Sequence, residues 1–353
     1  MKMKSKALIA AAGIAAAGVM ALSWSPAMAA EAGGVPQTKP GILIGASAGV
    51  PPPGIYMINQ VFDFQTNLVG PGTSVIGNHT GFQAAVDVQA FLFVPGWTFL
   101  GGTVDFVLGQ PFVMASIGTP VNFQASGIHN TFGIVEDSWK LGTSGFAVKT
   151  GLTVYVPDGT QNGVFPGQGA NGNAVIGLGN VGTPWWTFQP EIILSYLKDG
   201  WNLSAAVYAE FNTANRYTQY TSGDILHADF TATKTIGKWT IGPVAYYYGQ
   251  VSNDSCGVGC VAAYGGINPI FAGLGNPQRY NVWAVGGLVG YDFGPAAFSV
   301  WGTQEVSAKA SNAAQTAQAI ADGSLIPQGS TILATLSYRL WAPEAPATPM
   351  YHK

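Results

Sequence analysis

Residues 201–250 read WNLSAAVYAEFNTANRYTQYTSGDILHADFTATKTIGKWTIGPVAYYYGQ. Three segments in this stretch alternate polar and apolar residues. In the first, Leu203 and Val207 belong to an apolar row, whereas Ser204 and Glu210 belong to a polar row. A period of two is that of a β-strand, whose successive side chains point to opposite faces. A long polar loop separates the first two segments and a short turn separates the next two, so the stretch predicts strands joined by connections of alternating length.

The same plan extends over the chain, with about twelve alternating segments between Gly54 and Trp341. The short connections are 94–96, 141–144, 198–200, 236–238 and 293–295. The long ones are 65–82, 110–130, 157–185, 213–223, 252–278 and 308–329. Short turns at one rim and long loops at the other, with an even strand count, are typical of bacterial outer-membrane barrels. The predicted fold is therefore an all-β, transmembrane, antiparallel up-and-down β-barrel spanning 54–341.

The N-terminal 29 residues predict a cleaved secretory signal peptide. Three lysines occur in residues 1–6, an apolar run follows, and Ala27 and Ala29 provide the small residues that signal peptidase requires. A membrane anchor is the alternative, but the apolar run is short and is followed by that cleavage site. We therefore expect export through the inner membrane and a final location in the outer membrane of a Gram-negative cell.

The composition also favours a membrane barrel. Charged residues make up only 9% of the chain and aromatic residues 12%, whereas about 25% charged residues is usual in soluble domains. Tryptophans gather near segment ends, as an interfacial girdle requires; these are Trp97, Trp139, Trp186, Trp201, Trp239 and Trp341. The formal net charge of −3 offers no basic surface for nucleic acid.

The polar rows predict a lumen of mixed charge that passes small, neutral or weakly polar molecules. The candidate lumen residues are Asp87, Asp105, Lys149, Glu191, Glu210, His227, Asp229, Tyr246, Tyr248, Gln250, Glu305 and Arg339. For any one of them the alternative is a structural role, in which it pairs across the lumen and only holds the barrel. Our specific hypothesis is that Glu210, His227 and Asp229 shape the conduction path.

Three further segments lie outside the predicted strands. Residues 30–53 are small, Gly-rich and apolar over 40–53, and form either an N-terminal periplasmic lead or a hatch folded into the barrel. Residues 312–321 have helical propensity and either cap the outer mouth or lie on the surface. Residues 342–353 are Pro-rich and are interpreted as a short periplasmic tail.

The two cysteines, Cys256 and Cys260, lie in one long loop. In an exported protein a pair this close favours a small disulfide, with a free dithiol as the next alternative. A metal site would require more ligands than Asp254, the nearest candidate, so no metal and no cofactor are expected.

Several motifs resemble the phenol-degradation meta-pathway family of outer-membrane proteins. They are PPPGIY at 51–56, YVPDG at 155–159, NVGTPWWTFQP at 180–190, YTSGD at 220–224 and GPVAYYYGQVSND at 242–254. The last two are the more specific. Asp158 departs from the threonine that the family's turn carries, and the cysteine loop is particular to this chain, so the choice of ligand is left open.

The resemblance implies an outer-membrane barrel that admits hydrophobic or aromatic small molecules. It also implies that the matching polar positions either form a site or tie loops to strands; these are Asp224, His227, Asp229, Gln250 and Asp254. The expected partners are outer-membrane lipid and lipopolysaccharide, small hydrophobic or aromatic solutes, and the barrel-assembly machinery during insertion, with no nucleic acid.

The predicted function is a transporter-type channel for passive uptake of such compounds. The alternatives are a general diffusion porin and a surface structural or adhesive barrel with a plugged lumen. An enzyme is not expected, because Ser222 and His227 lie five residues apart at the start of one strand and so occupy opposite faces.

Overall fold

The computed structural model describes residues 37–69, 80–119, 122–161, 181–263, 266, 280–310 and 326–343. The predicted signal peptide and the predicted helical segment at 312–321 lie outside these residues, as does most of the tail, from residue 344. Within the described residues, no helix is long and apolar enough to cross a bilayer.

The predicted barrel is confirmed. Twelve long antiparallel strands of the described chain form one sheet. It closes because Gly81–Val94 pairs with Gly102–Ile117 as well as with the strand before it. The strands are β1 (Gly54–Val69), β2 (Gly81–Val94), β4 (Gly102–Ile117), β6 (Phe132–Lys140), β7 (Phe146–Tyr155), β8 (Thr187–Lys198), β9 (Trp201–Asn212), β11 (Ile225–Ile236), β12 (Trp239–Gln250), β14 (Tyr280–Asp292), β15 (Ala296–Ala310) and β16 (Ile326–Trp341). Each pairs with its neighbours along the chain, and β1 pairs with β16.

In the described part of the chain, four short strands and one short helix lie near the two rims of the barrel. Thr98–Phe99 (β3) forms a small hairpin with β4, and Phe123–Ile128 (β5) pairs with the far end of β4. Tyr220–Thr221 (β10) pairs with Ser255–Cys256 (β13), which precedes the helix Val258–Ala263 (α1).

The loop predicted at 110–130 is therefore wrong in part. The structure instead continues β4 to Ile117, since its residues 112–117 pair with β2 on one edge and with β5 on the other.

Over most of the barrel the outer surface is apolar and the inner surface is buried, as strands surrounded by lipid require. Along β9, Leu203, Val207 and Phe211 are exposed, whereas Tyr208 and Glu210 are buried. Exposed tryptophans mark the rims, with Trp97, Trp201, Trp239 and Trp341 at the end of the short turns and Trp186 at the opposite end. Because backbone groups in lipid must all be paired, this closed ladder is suited to span the outer membrane.

Candidate functional site: the barrel lumen

Residues 37–49 run through the inside of the barrel, and we call them the luminal segment. Their backbone N–H groups bind side chains of the inner wall at successive levels. Those of Gln37 and Thr38 donate to Glu210, at 3.3 and 3.0 Å, near the rim that carries the long loops. At the other end, the N–H of Ala48 donates to Ser195 Oγ at 2.8 Å. The segment therefore descends along the lumen towards the short-turn rim, where β1 begins.

Asp229 is the central attachment point of the luminal segment. Its Oδ1 accepts the N–H of Gly41 at 3.1 Å, and its Oδ2 accepts the N–H of Leu43 at 2.9 Å. The hydroxyl of Tyr208 also donates to Oδ2, at 3.2 Å. One level below, Thr231 Oγ1 accepts the N–H of Gly45 at 2.8 Å. A buried carboxylate that accepts several hydrogen bonds is well compensated for the loss of water.

The glycines of the segment permit this close approach. Gly41 and Gly45 have φ values of +84° and +88°, which L-residues with a side chain adopt only at a cost. A Cβ atom on Gly41 would lie 2.8 Å from the ring of Tyr246 and 3.0 Å from that of Trp301. The preference of 40–53 for small residues is thus explained by tight turns packed against aromatic rings.

Behind the segment lies a buried cluster that contains four of the twelve predicted lumen residues. His227 stacks on Tyr208, with ring centroids 4.6 Å apart, and its Nε2 lies 3.1 Å from Glu210 Oε1. The hydroxyl of Tyr246 donates to Glu305 at 2.8 Å. All five side chains are 2% exposed or less. The luminal segment covers Glu210 and Asp229 through these hydrogen bonds. The hypothesis that Glu210, His227 and Asp229 shape the conduction path stays a prediction.

A second buried group carries charges of both signs. The Lys149 ammonium lies 2.9 Å from Glu136 Oε2 and 3.4 Å from Asp105 Oδ2, and Glu136 also contacts Glu191. Asp105 Oδ1 has no hydrogen-bond partner in the described structure. Lys149 thus joins two carboxyl groups directly, and Glu191 is linked to it through Glu136, so the group ties β4, β6, β7 and β8 together.

A cavity of about 500 Å³ remains beside the luminal segment. One of its walls is apolar and comes from the inward rows of β1, β2 and β4; it includes Phe62, Phe64, Phe82, Val86, Val88, Val107 and Val113. The opposite side carries Glu136, Lys149, Glu191 and part of the segment. Of the predicted lumen residues, Lys149 and Glu191 line this cavity. Its arrangement suits a small solute with an apolar body.

Of two other predicted lumen residues, one lies outside the lumen and one at its rim. Asp87 alternates with Val86 and Val88, which face the cavity, so its side chain is on the outer surface, where Asn59 Nδ2 donates to it at 2.7 Å. The prediction assumed that the polar row of β2 faces inwards, and here it faces outwards. Arg339 is exposed near the short-turn rim, two residues from the end of β16.

Gln250 and Asp254 tie the outer loop to the barrel. Asp254 accepts hydrogen bonds from Gln250 Nε2 at 2.7 Å, from the Tyr220 hydroxyl at 2.6 Å and from the Gly223 N–H at 2.6 Å. Burial raises the pKa of this carboxyl to about 6, against the effect of these three donors. In the same loop, the sulfur atoms of Cys256 and Cys260 are bonded to each other.

The apolar wall was missed because β1, β2 and β4 carry apolar residues on both faces over much of their length. The sequence of β1 does contain a pattern: Asn59, Asp63 and Gln65 alternate with Phe62 and Phe64. This pattern identifies two faces of the strand, but it does not say which face is internal. The luminal contacts were also missed, since backbone donors leave no trace in side-chain patterns.

Comparison with known proteins gives a family and a fold. Residues 66–321 match the sequence model of the family described as "Putative MetA-pathway of phenol degradation". A comparison with curated protein sequences gives no significant match.

Among solved structures, an outer membrane channel from Pseudomonas putida F1 is similar, with a TM-score of 0.63 at 9% identity over 85% of this chain and 98% of that one. The β domain of the Bordetella autotransporter BrkA gives 0.43 at 14% identity, over 81% and 100%. The CymD monoaromatic hydrocarbon channel gives 0.35 at 9%, over 82% and 89%. The first of these supports the barrel fold, and at such low identity it supports the fold alone.

Proposed function

Because the chain belongs to the phenol-degradation family matched above, and because its barrel encloses a cavity with an apolar wall, we propose that it is an outer-membrane channel. The channel serves the passive uptake of small hydrophobic or aromatic compounds. The observation that carries the proposal is the apolar inner face of β1, β2 and β4, since a general diffusion porin has a polar, water-filled interior.

The size of the cavity is adequate for such solutes. An apolar cavity of roughly 150 Å³ is enough to bind benzene, and the space beside the luminal segment is about 500 Å³. An aromatic ring can lie against Phe62, Phe64 and Val88 while a polar substituent points towards Lys149 and Glu191. Passage then follows the concentration gradient and involves no chemical step and no cofactor.

The luminal segment acts as a hatch in this proposal. It fills the side of the lumen next to β9, β11 and β12. Hydrogen bonds to a few carboxylate and hydroxyl groups anchor it, together with apolar contacts of Ile44 and Ala48 with the wall. Rotation of residues 37–49 away from these anchors would widen the passage. The remaining parts of the proposal concern export and the membrane. Residues 1–29 are removed on export, and residues 342–353 form a periplasmic tail. The barrel-assembly machinery inserts the chain, and lipopolysaccharide surrounds the outer half of the barrel.

Uptake by proteoliposomes tests the proposal. We would compare a small phenol and an alkylbenzene with a sugar of similar size, using the wild type, Val88→Asn and Val244→Asn. Both valines face inwards and are 6% and 4% exposed, but only Val88 lines the cavity. Burying an amide where the solute contacts the wall costs about 1–2 kcal/mol, so aromatic uptake through Val88→Asn should fall roughly tenfold while Val244→Asn stays near the wild type.

Each other outcome selects an alternative. Equal uptake of the aromatic compounds and the sugar by the wild type would make the protein a general diffusion porin. Uptake of neither compound, from a barrel whose heat-modifiable migration shows that it is folded, would favour a surface structural or adhesive role.

A further inference from the structure

The outward rows of β1 and β2 contain several polar residues among apolar ones such as Val61 and Phe91. The polar residues form a patch that we call the polar stripe, composed of Asn59, Asp63, Gln65, Asn67, Gln83, Asp87 and Gln89. These residues alternate with inward residues such as Phe62, Phe64 and Val86, which are buried. By contrast, the outward rows of β9 and β14 contain exposed apolar residues, namely Leu203, Val207, Val285 and Val289. Two neighbouring strands thus place more polar residues on the lipid-facing side than is usual in a membrane barrel.

The lower part of the polar stripe lies near the middle of the membrane. Strands tilted by 35–45° rise roughly 2.5 Å per residue along the membrane normal. Asn59 lies five residues from the short-turn end of β1, and Asp87 and Gln89 lie seven and five residues from that end of β2. They are therefore roughly 12–17 Å above the rim, within an apolar band about 25 Å tall.

The residues of the stripe bind one another but keep unused hydrogen-bonding capacity. Asp87 accepts from Asn59 Nδ2 at 2.7 Å and from Gln89 Nε2 at 2.9 Å. Gln65 Nε2 donates to Asp63 at 2.7 Å. Each side-chain amide has two N–H donors and an acceptor oxygen, so the outer edges of these amides remain available. Acyl chains offer no partner for them, and an unsatisfied polar group in hydrocarbon is costly.

An opening in the wall does not account for the stripe. β1 and β2 pair without a shift in register from Gly54↔Val94 to Asn67↔Gly81. Every position of the stripe thus lies on a closed part of the ladder, and the groups that require a partner point away from the barrel.

We propose that the polar stripe is the contact surface for a second copy of this chain in the membrane. Its chemistry is self-complementary, because amides both donate and accept, and each aspartate is already bound by an amide of its own chain. A two-fold axis along the membrane normal would place the amides of one copy against the carboxylates and amides of the other. Hydrogen bonds between polar side chains are a recognised means of association in membranes. Val61, opposite Asp87 in the register, lies at the centre of the contact.

Cross-linking in native outer membranes tests this arrangement. The full chain would carry Val61→Cys or, as a matched control, Val285→Cys, with the native cysteines bonded to each other. Both valines are 49% exposed and lie seven residues from the short-turn end of their strands, but Val285 is on β14, away from the stripe. Oxidation with copper phenanthroline should give a dimer of twice the chain mass with Val61→Cys, in at least fivefold higher yield than with Val285→Cys.

A second variant links the dimer to the polar groups. Adding Asn59→Leu, Asp87→Leu and Gln89→Leu to Val61→Cys should lower the dimer yield to that of Val285→Cys, with heat-modifiable migration confirming a folded barrel. Equal yields from the two single variants would indicate random collision and overturn the proposal. So would the absence of a dimer, a cross-link to another protein, or a yield that the leucine substitutions leave unchanged.

Discussion

Asp229→Asn is the substitution that most directly probes the luminal segment. The wild-type carboxylate accepts the N–H groups of Gly41 and Leu43 on its two oxygens, and it is 2% exposed. Asparagine has nearly the same shape but replaces one acceptor oxygen by an NH₂ group, which would face a backbone N–H. One hydrogen bond is then lost, and the other loses the assistance of the negative charge.

The expected effect is large enough to change how often the luminal segment leaves its docked position. A hydrogen bond to a charged group contributes about 1.5–3 kcal/mol. Losing one such bond and weakening the other gives a change of roughly 3 kcal/mol in the free energy of docking of the segment. Because about 1.4 kcal/mol corresponds to a factor of ten, the population with an undocked segment should rise roughly 150-fold.

Hydrogen–deuterium exchange and planar-bilayer conductance would measure this rise. The amides of residues 41–45 should exchange faster by two orders of magnitude, and openings of large conductance should become more frequent. Asp105→Asn is the matched control, since Asp105 is also a buried inward aspartate but bonds Lys149 rather than the segment. If both substitutions left exchange at 41–45 and conductance equally unchanged, the reasoning that Asp229 holds the hatch would be refuted.

Three other changes have defined outcomes. Combining Ala48→Cys with Ser195→Cys, two positions joined by a 2.8 Å N–H to Oγ hydrogen bond, should lock the hatch and lower aromatic uptake at least tenfold, whereas either cysteine alone should not. Replacing Cys256 and Cys260 by serine should destabilise their loop by about 2 kcal/mol, seen as faster loop proteolysis with an unchanged barrel; an unchanged rate would contradict it. Because burial raises the Asp254 pKa from 3.8 to about 6, the folded loop binds the proton more tightly, so its resistance to proteolysis should increase as the pH falls from about 6 to about 4, and Asp254→Asn should remove this dependence.

The strands were predictable where one face is uniformly apolar. In β7, β9 and β11 the polar row is also the buried row, so the inward positions of Lys149, Glu210 and Asp229 follow from alternation alone. The short turns were predictable for the same reason, since alternation stops at Gly142, Gly200 and the other turn glycines.

The prediction failed at β2 for a physical reason. Alternation identifies two faces, and the assignment of the polar face to the lumen assumes that lipid covers the outside. Asp87 and Gln89 violate that assumption because they lie on an outer surface rich in hydrogen-bonding groups. Only the closed geometry, in which Val86 and Val88 line the cavity, reveals which face is internal.

The luminal segment separates Glu210 and Asp229 from the cavity in which we propose that the solute moves. The half of the lumen that carries Glu210, Asp229 and Tyr246 is covered by a segment about 170–190 residues earlier in the chain, attached through backbone N–H groups. The other half is left uncovered because its apolar rows offer no acceptors to such donors. Substitutions among the carboxylates should therefore alter how often the passage opens, and substitutions such as Val88→Asn should alter which solutes cross it. A residue that changed both would have to lie where the two halves meet, as Lys149 and Glu191 do.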